Sequence, residues 1–277
     1  HNLMSKDYSI SYPRRSLIRA FMTGGARFFM RFLTRLRVTG VKNIPSTGPL
    51  ILVGNHVSIM EVVLMCSCVP RQVEMIGVGD IPPDITYAPI LKAYGYIPIK
   101  RGSMDRQAMS KGLDVLKQGG VIGIFPEGGI WQTTMGQART GVSWLSSKAN
   151  APVVPIGFGG MRGAMRDLLM LKRPELFMNI GEALPAVESR VPNKTRKEAL
   201  ADGADEIMEH VAELEPASEK ATWTLVAAER FTLEVELRDA QDVIVPVPGD
   251  YHIRNAPELS KLFHRPVIIR TWARNLR

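Results

Sequence analysis

The chain is poor in cysteine, and its charges are unevenly spread. Of 277 residues only Cys66 and Cys68 are cysteines, one residue apart. That excludes a disulfide framework and a cysteine-rich zinc site, and it fits a reducing compartment. Acids are missing altogether between Arg14 and Lys42, where seven arginines and one lysine equal the entire net charge of +8. The remainder of the chain is therefore neutral in sum. Such a local excess argues against a nucleic-acid coat and for an N-terminal segment that meets an anionic surface. There is no Gly-x-Ser-x-Gly elbow, no phosphate-binding Gly-rich loop ending in Lys-Ser/Thr, no histidine cluster at metal-ligand spacing, no internal repeat and no low-complexity tract. A secretory signal pattern is missing too, and His1 to Leu3, which precede Met4, are set aside.

A clean transmembrane run is also lacking. Pro49 to Pro70 is long enough to span a bilayer, but it carries His56 and Glu61 and is interrupted by Gly54-Asn55-His56. It reads as a buried strand, a loop and a helix. What is present is globular composition, 45% hydrophobic and 22% charged. Arg27, Arg31 and Arg35 recur every four residues, with Phe28, Phe29, Phe32, Leu33 and Leu36 around them. The spacing predicts an amphipathic helix, separated by Gly24-Gly25 from an earlier piece. Arg27, Phe28, Arg31, Phe32 and Arg35 are its expected membrane contacts.

From Val38 short apolar runs alternate with helical stretches. Strands are expected at 50–53, 73–78, 97–99, 121–125, 153–157 and 177–180. Helices are expected at 58–66, 85–93, 104–117, 136–149 and 195–214, with Gly119-Gly120 as a stop. This predicts an α/β fold, a mostly parallel sheet flanked by helices. The N-terminal amphipathic helical segment (1–37) precedes the α/β domain (38–216). A small, mostly β appendage (217–277) follows, with strands at 222–226, 231–237 and 243–247.

Four blocks carry candidate chemistry. In Asn55-His56-Val57-Ser58-Ile59-Met60-Glu61 a strand delivers a histidine to its end, and a carboxylate follows one helical turn in. A carboxylate on one ring nitrogen fixes the tautomer and supports protonation of the other, which makes a base for a hydroxyl. Ser58-x-x-Glu61 is equally a capping box, and the spacing leaves both readings open. Phe125-Pro126-Glu127-Gly128-Gly129 puts a carboxylate behind a buried strand, where open α/β sheets hold ligands. Ile97-Pro98-Ile99-Lys100-Arg101 ends a strand in two cations suited to phosphate. Ala151-Pro152-Val153-Val154-Pro155-Ile156-Gly157 is an unreactive strand that would shape the site.

In this order the blocks resemble the four motifs of the glycerolipid acyltransferases, the family of 1-acylglycerol-3-phosphate and lysophospholipid acyltransferases. Asn55, His56 and Glu61 match its Asn-His-x4-Asp, with Glu for Asp; Arg101 matches the second motif, Phe125 to Gly128 the Phe-Pro-Glu-Gly motif, and Val154-Pro155 the fourth. Gly181 to Pro185 resembles a Gly-Glu-Pro segment before the last helix. The resemblance covers about Val38 to Leu214. It implies acyl transfer from acyl-CoA or acyl-carrier protein to a lipid hydroxyl, without cofactor or metal. His56 and Glu61 would be catalytic, and Asn55, Ser58, Lys100, Arg101, Glu127, Gly128 and Gly129 would contact substrate. The expected location is the cytoplasmic face of a membrane, peripheral or monotopic. Gly129-Ile130 replaces the polar pair that often follows the third motif. A neutral acceptor, such as a diacylglycerol or long-chain alcohol, is therefore the alternative, and a non-catalytic lipid-binding protein a further one.

Overall fold

The computed structural model describes residues 9–56, 58–78, 88–99, 105–126, 135–161, 163–216, 232–238, 244–245 and 268–274, the last three as backbone only. Up to Pro216 the described residues form one compact unit. Its elements are α1 (Ser16–Leu33), β1 (Arg35–Thr39), β2 (Leu50–Gly54), α2 (Ile59–Cys68), β3 (Val73–Val78), α3 (Ala88–Tyr94), β4 (Ile97–Ile99), α4 (Arg106–Lys117), β5 (Val121–Ile124), α5 (Met135–Ala149), β6 (Val153–Gly159), α6 (Ala164–Leu169), β7 (Glu175–Ile180) and α7 (Arg196–Leu214).

The strands form one sheet in the order β1-β7-β6-β2-β5-β3-β4. Every neighbouring pair is parallel except β6–β7. The fold is thus α/β with a mostly parallel sheet, as the alternation of apolar runs predicts. Because β1 and β7 run against the other five strands, their N-terminal ends lie on the same rim as the C-terminal ends of β2, β5 and β6.

Alternation along β2 separates two cores. Leu50 and Leu52 pack with Met30 of α1, with Met60, Leu64 and Met65 of α2, and with Ala164 of α6. Ile51 and Val53 pack on the opposite face with Ala108, Met109 and Leu116 of α4, Leu145 of α5, and Ile207 and Val211 of α7. A strand buried on both faces reads as a continuous apolar run, which is why Leu50-Ile51-Leu52-Val53 shows no polar alternation.

The N-terminal segment departs from expectation in two ways. First, α1 runs unbroken through Gly24-Gly25; eighteen residues docked on the domain outweigh the roughly 1 kcal/mol each glycine costs. Second, the helix ends at Leu33, so Arg35 is the first residue of β1 and does not extend the Arg27–Arg31 helical row. The strand 35–39 was not expected, nor was α6.

The arginines of this segment are largely spent inside the molecule. Glu74, fully buried in β3, accepts from Arg14 Nη2 at 2.8 Å and Arg19 Nη2 at 2.9 Å, and Arg19 Nη1 closes the bidentate pair. Arg19 also donates to the Tyr94 and Gly95 carbonyls at 3.0 and 2.7 Å, and Arg15 to those of Lys92 and Ala93 at 2.6 and 2.9 Å. Arg27 donates to Ser67 O at 3.0 and 2.6 Å. These carbonyls end α3 and α2, where cations oppose the negative end of the helix dipole.

A second unit contains β8 (Thr232–Arg238), β9 (Ile244–Val245) and β10 (Ile268–Arg274), an antiparallel sheet ordered β10-β8-β9. The strand expected at 222–226 lies outside the described residues, and β10 was not expected.

Candidate active site

The parallel pairing of β2 with β5 builds the site. Their register sets Val53 opposite Ile124, so the chains leave the sheet side by side, one into Asn55-His56 and the other into Phe125. The His56 imidazole stacks on the Phe125 ring, centroids 4.5 Å apart and planes 21° from parallel. Phe125 leans on Phe158 from the end of β6 at 6.2 Å. Gly54 makes room for this stack: a Cβ there would sit 2.6 Å from the Phe158 ring and 3.2 Å from Phe125.

The other side of the imidazole faces α2. Ser58 is the N-cap, its Oγ accepting from Met60 N at 3.2 Å, and Glu61 Oε2 accepts from Ser58 N at 2.9 Å. The same Oε2 lies 3.4 Å from His56 Nδ1. Of the two readings open in the sequence, the cap is realised, and the same oxygen lies within ion-pair range of an imidazolium at His56. Glu61 is fully buried, while the His56 side chain keeps 34% of its surface exposed. The ring is thus stacked on Phe125, with Nδ1 toward Glu61 and part of the side chain open to solvent.

Asn55, expected at the substrate, is committed elsewhere. It is buried, its Nδ2 donates to Phe158 O at 3.0 Å, and its Oδ1 accepts from Phe158 N at 2.8 Å. The side chain substitutes for one more step of the β2–β6 ladder, and so holds the residue before His56 against β6. Ser58 likewise spends its Oγ on the cap. Both side chains are thus hydrogen-bonded on either side of His56. Lys100, Arg101, Glu127, Gly128 and Gly129 lie outside the described residues.

Neither cysteine offers an alternative nucleophile. Burial pushes the Cys66 thiol up to about 12 and raises Cys68 as well, so both stay protonated at neutral pH. Among the described residues no group of three or more His, Cys, Asp or Glu could hold a metal.

The expected membrane-contact residues divide. Arg27 is tied to α2, and Arg35 is in β1. Arg31, Phe28 and Phe32 are exposed on α1. Leu17, Phe21, Phe28 and Phe32 form a solvent-facing row at seven- and four-residue spacing, flanked by Ile18 and Phe29. Phe21 is 84% exposed. The outward face of α1 is therefore apolar more than cationic, a feature hidden when the arginines are counted as free. No helix among the described residues is long and apolar enough to cross a membrane.

Missed by sequence reasoning were Phe158 and Gly54. Their contact joins β2 to β6, some 100 residues on, and no local pattern encodes it. Phe125 stood in a motif, but its stacking on His56 follows only from the β2–β5 register.

The family model described as Acyltransferase matches residues 35–159, from the start of β1 to the end of β6. Over that stretch the chain is similar to the acyltransferases. It is 21% identical over 173 residues to the 1-acyl-sn-glycerol-3-phosphate acyltransferase of Bacillus subtilis (strain 168), covering 62% of this chain and 85% of that one. The crystal structure of the 1-acyl-sn-glycerophosphate (LPA) acyltransferase PlsC from Thermotoga maritima matches with a TM-score of 0.44 and 20% identity, over 72% of this chain and 84% of that chain.

Proposed function

We propose that this acyltransferase moves a fatty acyl group from a thioester, acyl-CoA or acyl-carrier protein, to the hydroxyl of a lysophospholipid of the 1-acylglycerol-3-phosphate type. The observation that carries the reading is the single Glu61 oxygen that caps α2 and faces His56 Nδ1. His56 Nε2 takes the hydroxyl proton as the acceptor oxygen attacks the thioester carbonyl. The tetrahedral intermediate collapses, the C–S bond breaks, and the imidazolium returns the proton to the leaving thiolate. Glu61 stabilises the imidazolium between these steps. The resemblance supplies Arg101 for the acceptor phosphate and Glu127 for its hydroxyls. The names of the relatives support a phosphorylated acceptor. A neutral acceptor is the second reading, favoured by Gly129-Ile130, which lacks a polar pair.

The proposed acceptor and product are lipids, and the exposed apolar row of α1 supports a peripheral station on a membrane; the cytoplasmic face is what the resemblance implies. A panel of lysophosphatidic acid, other lysophospholipids, diacylglycerol and a long-chain alcohol, each offered with one labelled acyl-CoA, tests the reading by product mass. Acylated lysophospholipid is expected. Product from the neutral acceptors alone would reject the phosphorylated acceptor; no product from any, with acyl-CoA and again with acyl-carrier protein as donor, would reject the thioester donor.

A further inference from the structure

We propose that the turn Leu169–Arg173, which closes α6 and leads into β7, is a second lipid-contacting element that enters an anionic bilayer beside the catalytic rim. The inference rests on the peripheral-membrane reading and adds a site to it.

The turn exposes three consecutive apolar side chains, Leu169 at 75%, Met170 at 51% and Leu171 at 71%. Its backbone makes that exposure costly. Lys172 N donates to Asp167 O at 2.9 Å and Leu171 N to Leu168 O at 3.0 Å. Together these bonds form a Schellman turn, with Leu171 at the left-handed position, φ +56°. The same turn ends α4, where Gly120 N donates to Val115 O and Gly119 N to Leu116 O, each at 2.9 Å. There the left-handed residue is glycine, Gly119 at φ +72°. A leucine in that position is strained and, here, has no core to fill. Its large apolar surface gains only if a partner outside the protein covers it.

Charge and position name the partner. Lys172 and Arg173 follow the leucines and are exposed, as are Arg31 and Arg35. Asp167 pairs with Lys172 at 3.6 Å and Glu175 with Arg37 at 2.8 Å, which leaves Arg173, Arg31 and Arg35 as the cations of this corner. Exposed apolar side chains followed in sequence by a cation suit lipid tails beneath anionic headgroups. Arg35 N donates to Pro174 O at 2.9 Å, which joins the turn to the chain leaving α1 just past Phe32. The corner so formed lies at the N-terminal ends of β1 and β7, on the sheet rim that carries His56. A bilayer touched by both the turn and α1 would lie alongside the rim where a lipid hydroxyl must meet the imidazole.

The test uses the full chain and vesicles of equal parts phosphatidylglycerol and phosphatidylcholine. A Met170→Cys variant, made in a Cys68→Ser background because Cys68 is only half-buried, is labelled with an environment-sensitive fluorophore; Cys66 is buried and its thiol is raised by burial, so the new exposed thiol is the reactive one. Vesicles should shift its emission to the blue, and spin-labelled lipid tails should quench it, equally in a His56→Ala background. A Leu169→Ser/Leu171→Gly variant should bind vesicles at least about tenfold more weakly while melting at or above the parent temperature, since glycine relieves the strain. Unshifted emission, or variant binding within twofold of a parent that does bind, overturns the insertion of this turn and leaves α1 standing. A parent that binds no vesicles overturns the peripheral reading together with it, whatever the acceptor panel shows.

Discussion

One Glu61 oxygen caps α2 and lies 3.4 Å from His56 Nδ1, and the cap separates from the proposed catalytic role by substitution. Glutamine at the third position of a helix still completes a capping box but carries no charge for an imidazolium. Glu61→Gln should therefore melt close to the parent temperature while turnover falls by about 10²–10⁴. Glu61→Ala should lose the cap as well, about 1 kcal/mol. Equal turnover in Glu61→Gln and the parent would reduce the residue to a cap. Gly54→Ala tests the stack behind the ring. Its Cβ would meet Phe158 at 2.6 Å and Phe125 at 3.2 Å, so a loss of about 1–3 kcal/mol and lower turnover are expected, measured by denaturant melts and steady-state rates. The first motif was legible because strand, loop and helix are contiguous there, and both uses of Glu61 follow from local spacing. The role of Asn55 was not legible, because its partner is the backbone of Phe158, which only the folded sheet brings alongside.

Among the elements, α1 shows most plainly how a charge pattern can mislead. Read locally, Arg14, Arg15, Arg19 and Arg27 look like free cations. In the fold they end α2 and α3 and neutralise a carboxylate 55 residues beyond Arg19. Their partners are backbone carbonyls, which no sequence pattern displays, and one buried acid inside an apolar strand. Arg19→Met leaves Glu74 with Arg14 alone in a dry interior; the cost should be about 3 kcal/mol, read as a lowered denaturation midpoint. A change under about 0.5 kcal/mol would show that the pair does not anchor the helix. The sheet strands and main helices were legible because doubly buried strands and capped helices leave compositional marks, such as Leu50–Val53 and Gly119. The short α6 and β1 were not. The first closes on a leucine where glycine is the usual signal, and the second is hidden at the end of a helical arginine spacing.

For the whole molecule, reversing β1 and β7 brings the end of α1, the α6–β7 turn and His56 to one rim. Because so many guanidiniums are used internally, attachment to lipid should depend chiefly on apolar contact. Raising salt to about 1 M shortens the screening length to about 3 Å, yet vesicle binding should weaken by less than about tenfold. Complete release by salt would return the segment to the cationic reading. The central claim concerns the imidazole itself. Thiol release from acyl-CoA in the presence of lysophosphatidic acid, compared between the parent and His56→Ala at matched thermal stability, tests it most directly. The account predicts release reduced at least about a thousandfold with vesicle binding unchanged; release at the parent rate would contradict it.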